Sequence, residues 1–179
     1  MHMILAEEKR KNNVCEYIIH MYQTEYLVRL YDFDIGRIYD NIITHLPLTD
    51  SGKQELKNWY QGVIQQMQKE GVEKEGHLSS LNFIVEELTA LSKNLADKDP
   101  EFVSIYLKAK PYIEENIRMA EGKIRNEIQI CLNGIFGYLL LRLHGKEVAE
   151  DIKSMLDAFG DYLSILSFHY KRKQDVANN

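Results

Sequence analysis

Four polar side chains stand where the helical period of the sequence predicts core: Glu25, Arg29, His77 and Arg142. At about 100° per residue, Glu25 falls between Met21 and Val28 on an apolar face. Arg29 lies one turn further on, at the spacing that lets a carboxylate meet a guanidinium. Arg142 falls on the stripe of Ile124, Ile128, Cys131 and Ile135, while His77 opens a heptad seam and His169 closes another. A buried charge is paired, or its protonation changes until it is no longer a charge. Glu25 is therefore expected to meet a cation, and Arg29 and Arg142 are both available. Two readings follow. The charges form a satisfied ion pair that fixes how helices register, or they line a polar pocket, with His77, that takes an anionic small molecule.

The known chemistries of helical proteins leave spacings that can be checked. Di-iron bundles need Glu-x-x-His, which points both ligands inward from one helix face; none of the six histidines has a Glu three residues before it. No His-Glu-x-x-His and no Cys-x-x-Cys occurs, so zinc sites of those kinds are excluded. Glu70-x-x-Glu73 and Glu147-x-x-Glu150 supply the first half of a helical pyrophosphatase pattern, but no Glu-x-x-Asp completes it. No Arg precedes a His by the four to six residues of toxin-type ribonucleases, and there is neither a phosphate loop nor a nucleophile elbow. The expectation is a chain with no metal, no cofactor and no catalytic centre of a familiar type.

The elements that position these residues are helices. Apolar residues recur at three and four throughout, and no segment alternates with period two for long enough to make a strand. One helix is expected from about Ala6 to Tyr31, and a second after the N-cap Asp34, ended by Pro47. A third starts within Thr49–Asp50–Ser51, where Ser51 and Gln54 have capping-box spacing, and stops at Gly71. The fourth covers about Glu75 to Ala96. The fifth opens at Pro100, with Pro111 set to kink or divide it, and Gly122 separates it from the sixth, Lys123 to His144. Gly145 reads as a C-terminal cap, and the last helix runs from Lys146 to about Lys173 on the stripe Val148, Ile152, Met155, Phe159, Tyr162, Leu166, His169. The fold expected is all-α: a single bundle of six to seven helices, mostly antiparallel neighbours with short loops, over one domain 1–179 whose residues 171–179 fray.

Composition narrows the partners. The chain has 179 residues, 27 % charged, with a net charge of −5, which argues against a nucleic-acid face. Trp59, Tyr60 and the other aromatics sit on helical stripes and read as core rather than as a base-stacking platform. The most apolar stretch is CLNGIFGYLLLRLHG, 131–145, yet its longest uncharged apolar run, Gly134 to Leu141, is 8 residues. A membrane span needs about 20, so this is expected to be a central helix with neighbours on more than one side. Gly134 and Gly137 each cost about 1 kcal/mol of helix propensity, and close approach of another helix is the expected compensation. Cys15 and Cys131 lie inside apolar patterns, as buried thiols of a reducing compartment do. No leader is evident, and a cytoplasmic location is expected.

Several segments resemble the uncharacterised bacterial family known as domain of unknown function 4924. They are KRKNNVCEYIIHMYQTEYLVR at 9–29, NWYQGVIQQMQKEGVEKEGHL at 58–78, KAKPYI at 108–113 and EIQICLNGIFGYLLLRLHGKE at 127–147. The resemblance implies an all-helical, cytoplasmic bacterial protein and brings no activity, ligand or catalytic residue. The first functional expectation is thus a non-catalytic helical interaction or structural module that pairs with itself or with a helical partner. The second is an anion-binding protein or enzyme built on Glu25, Arg29, Arg142 and His77.

Overall fold

The computed structural model describes residues 2–147 and 149–177. Among them are eight α-helices and one short 3₁₀ turn, and no strand. The helices are α1 (His2–Asn12), α2 (Val14–Leu30), α3 (Ile35–Asn41), α4 (Asp50–Glu70), α5 (Ser79–Ala96), α6 (Pro100–Met119), α7 (Glu127–Leu143) and α8 (Glu150–Ala177). The turn, Ile43–His45, follows α3.

The count of six to seven becomes eight because the first expected helix is two. Asn13 leaves the helical conformation at φ −149°, and its side chain accepts from the Glu16 amide, so it ends α1 and caps α2. An Asn at this position competes with the helix by offering its own side-chain oxygen to the next turn. Other boundaries hold or shift for local reasons. Asp34 caps α3 as expected, accepting from Gly36 and Arg37. Thr49, rather than Ser51, caps α4. Helix α5 starts at Ser79 instead of Glu75, because Gly76 sits at φ +85° and interrupts the turn. Helix α7 starts at Glu127 because Asn126 caps it, which leaves Ile124 in the connection. Pro111 does not divide α6. It is exposed, as is Leu107, so the carbonyl that loses its amide partner lies on the solvent side. Gly145 closes α7 at φ +67°, with the Gly145 and Lys146 amides bonded back to Arg142 and Leu141. Helix α8 reaches Ala177, four residues past its expected end, while Val148, Asn178 and Asn179 lie outside the described residues.

A continuous core runs from Val14 to Leu166, with Tyr22, Phe102, Phe159 and Tyr162 its largest fully buried side chains. Helix α8 touches α1, α2, α5, α6 and α7, and so forms the wall against which the others close. Both cysteines are buried thiols with no disulfide; burial pushes Cys15 up to about 12 and Cys131 well above its usual value, so neither is a nucleophile at neutral pH.

The two glycines of α7 part company. A Cβ on Gly134 would sit 2.9 Å from the Phe159 ring, which is locked in the core of α8. Gly134 is thus compensated by close helix approach, as its propensity cost requires. Around Gly137 a Cβ would meet nothing within 4 Å. We expect Gly134→Ala to lower stability by about 1–3 kcal/mol through overpacking. In the same urea-unfolding series in dilute solution, Gly137→Ala should raise it by up to about 1 kcal/mol.

Candidate functional site

The residues singled out by the sequence converge in part. Tyr22, Glu25 and Arg29 lie on one face of α2, at spacings of three and four, and that face meets the connection between α4 and α5. Glu25 is fully buried, at 0 % exposure. One carboxylate oxygen lies 2.6 Å from His77 Nδ1, and the other accepts from the Leu78 amide at 2.9 Å. With the carboxylate ionised, Nδ1 carries the donated proton. The Glu25 partner is therefore His77 together with a backbone amide, and neither of the arginines expected.

Arg29 is committed elsewhere. Its Nη2 donates to the carbonyls of Val72 and Gly76, at 2.8 and 2.6 Å. Glu25 and Arg29 are thus both applied to the same short segment, Gly71 to Leu78, where they meet the Leu78 amide and the Val72 and Gly76 carbonyls. This is why the i,i+4 pair does not form: the backbone of the connection offers partners that must be met, whereas the two side chains do not need one another. Arg142 belongs to a different surface. It is exposed in the last turn of α7 with its guanidinium 5.8 Å from the Tyr138 ring centroid, and no hydrogen bond or ion pair joins it to Glu25 among the described residues. His169, the other histidine on a seam, is 3.1 Å from Asp99, the residue that caps α6.

The start of α5 depends on this arrangement. Leu78, at its N-cap, has no side chain that can accept a hydrogen bond. The first amides of the helix are capped from other helices instead: Leu78 by Glu25 of α2, and Ser79 by Glu70 of α4 at 2.6 Å. The Ser79 bond, with help from Gln66, holds the Glu70 carboxyl below its usual value. On the other side, His77 stacks on Tyr22 with ring centroids 3.6 Å apart and planes 14° from parallel. The Tyr22 hydroxyl exchanges hydrogen bonds with the Gln129 amide, and Gln129 Nε2 also reaches Asn133 Oδ1 at 2.8 Å. Asn133 therefore meets Gln129, one turn back on α7. The Glu25 carboxylate and the Arg29 Nη2 are thus both partnered at this junction of α2, α5 and α7, while the buried Arg29 Nε has no hydrogen-bond partner.

A cleft lies elsewhere, and the sequence reading missed it. It measures about 550 Å³ and is bounded by α5, α6, α8 and the first turn of α7. Phe102, Ile128 and Tyr162 form its floor, with Ser92, Tyr106 and Arg125 among the polar groups around it. Ser92 Oγ and Tyr162 Oη are 2.9 Å apart, and Tyr106 donates to Glu127 at 3.0 Å. Burial, then the Glu127 carboxylate, push the Tyr106 phenol up to about 12, and burial pushes Tyr162 higher still, so both remain protonated at neutral pH. The available signal was Thr89 and Ser92, two hydroxyl residues beside the leucine seam of α5. Their side-chain partners, Asn126 and Tyr162, come from two other helices, and spacing within one helix cannot assemble them.

Glu25→Gln leaves either His77 or the Leu78 amide facing a donor, so unfolding free energy should fall by about 1.5–3 kcal/mol in urea titrations; unchanged stability would sink the assigned role. Glu70 gives a pH signature. Its folded value lies below the ordinary 4.5, so its contribution is present above that value and is lost as pH falls below it. The residue is exposed to solvent screening, so the effect is small. Glu70→Gln should reduce the drop in urea midpoint between neutral and acid pH, read as the difference of two midpoints.

Neither a curated protein nor a solved structure matches the chain. A family model does match, described as a domain of unknown function, and it assigns no activity. Its span, residues 3–176, takes in every element of the Glu25–His77 junction and of the cleft, and the chain belongs to that family, DUF4924.

Proposed function

We propose that the protein is a non-catalytic helical interaction module that pairs with a second copy of itself through the second half of α7. The observation that carries this reading is the asymmetry of that helix. It is the most apolar of the helices, yet its buried residues are Ile128, Ile130, Cys131 and Leu132, all in the first half. From Asn133 to Leu143 no residue is buried, and Leu141 and Leu143 are 38 % and 72 % exposed. The sequence expectation of neighbours on several sides is met in full only for the first half; beyond it Ile135 and Phe136 are partly buried against the core, and the last turn is exposed. Ile152, at the start of α8, adds to the exposed apolar surface across the short connection.

An apolar surface of this kind marks an interaction site. No helix among the described residues is long and apolar enough to cross a membrane. A second copy fits because a two-fold contact presents the same patch to itself, and the border of this one carries both signs: Arg142 and Lys146 against Glu147 and Glu150. The open space at Gly137 lets a partner helix approach its backbone. The same reading takes residues 1–179 as one domain, a single bundle of mostly antiparallel neighbours, supported by the continuous core. It places the chain in the bacterial cytoplasm, supported by two buried thiols that form no disulfide.

Light scattering over a concentration series should give a mass approaching twice 21.0 kDa. The double variant Leu141→Asp/Leu143→Asp should be monomeric with unchanged helical content. A wild-type chain that stays monomeric at high micromolar concentration overturns the proposal.

A further inference from the structure

The cleft beside Tyr162 has the features of a binding site for a small molecule, and it stands at the opposite end of α7 from the proposed contact face. We infer that it takes a ligand with a flat, aromatic or apolar body and one anionic group. The floor explains the body. Phe102 and Tyr162 are fully buried, so their rings are fixed by the core and need no ordering when a ligand arrives. Phe102 and Tyr106 are parallel within 1°, with centroids 6.4 Å apart, and Tyr162 is tilted against both at 5.8 and 5.5 Å. Tyr106, the partly buried ring of the three, is the face a flat partner can meet, with Phe102 and Tyr162 fixed behind it. The volume of about 550 Å³ lies within the roughly 300–1,000 Å³ of small-molecule sites.

The rim explains the charge. Lys93 and Arg125 both line the cleft and are both exposed, and neither forms an ion pair within 4 Å among the described residues. The acidic group in the lining, Glu127, already accepts from the Tyr106 hydroxyl. Two uncommitted cations therefore face one committed carboxylate, on a chain whose net charge is −5. A local reversal of sign in a concave site concentrates anions there. Orientation comes from the Ser92–Tyr162 pair. One hydroxyl proton joins the two oxygens, and either oxygen can be its donor, so the pair can offer a donor or an acceptor to a ligand. Asn126 Nδ2 holds Thr89 Oγ1 at 2.8 Å, fixing the first turn of α7 against α5 and so setting the place of Arg125 at the mouth.

Aromatic carboxylates and aromatic phosphate esters share this chemistry, so both are used as probes. Calorimetric titration of the intact chain with benzoate, phenyl phosphate and adenosine monophosphate should show saturable binding of at least one of them at millimolar concentration. Arg125→Ala should weaken that binding roughly tenfold or more. Tyr162→Phe should weaken it while Leu141→Asp/Leu143→Asp leaves it unchanged, which separates this site from the self-association face. Because Arg125 is exposed, its variant is expected to keep the wild-type melting temperature without ligand, and that measurement accompanies each titration. Equal binding of inorganic phosphate alone overturns the aromatic part of the inference, and equal binding of benzyl alcohol overturns the anionic part. No saturable binding by any of the three anionic probes, or binding unaffected by Arg125→Ala, overturns it altogether.

Discussion

The carboxylate of Glu25 is the constraint around which the rest of the structure is arranged. A fully buried charge has to be met on both of its oxygens, and what meets it here is one histidine and one backbone amide from the same connection. Everything adjacent serves to hold those two donors in place. Arg29 fixes the carbonyls of the connection, Gly71 and Gly76 supply its left-handed turns, and Tyr22 lies flat beneath the His77 ring. The Tyr22 hydroxyl then carries the constraint into α7 through Gln129 and Asn133. A hydrophobic core alone would let α2 slide along its neighbours. The carboxylate admits one register.

Much of this was legible in the sequence, and the limits have physical causes. The helices were readable from period, and the caps at Asp34, Gly71 and Gly145 from residue type. That Glu25 must have a partner followed from its place on an apolar face. Which partner it has did not, because half of it is a backbone amide, and every residue has one. The i,i+4 arginine was the obvious candidate within one helix, but a connection with unsatisfied carbonyls outbids it. The divided first helix was missed because Asn13 looks like any other polar residue in a helical pattern until its side chain turns back on the chain. The cleft was illegible for a different reason: its lining comes from four helices, and periodicity reports on one helix at a time.

The two ends of α7 carry different chemistry. At its start the helix is locked into the core, capped by Asn126 and bordered by the cations and hydroxyls of the cleft. Toward its end the same helix leaves the apolar side chains of Leu141 and Leu143 exposed. Gly134 marks the changeover: it is the last position at which α8 comes close enough to forbid a side chain, and Gly137, one turn later, is open. Membership of the DUF4924 family covers both ends, so the division belongs to one family domain rather than to an appended segment.

The borrowed caps of α5 have a consequence for the order in which the molecule forms. A helix that carries its own cap can flicker into existence alone, since the first turn and its cap are neighbours in the chain. The first turn of α5 has no such means. The Leu78 amide is met only after α2 has docked, and the Ser79 amide only once α4 has formed to its last residue. The nucleation of α5 is therefore a late, tertiary event, and α2, α4 and the start of α5 should open and close as one cooperative unit. In native-state hydrogen exchange the amides of Leu78 and Ser79, at a helix end where fraying is the rule, would behave like amides from the middle of the protein.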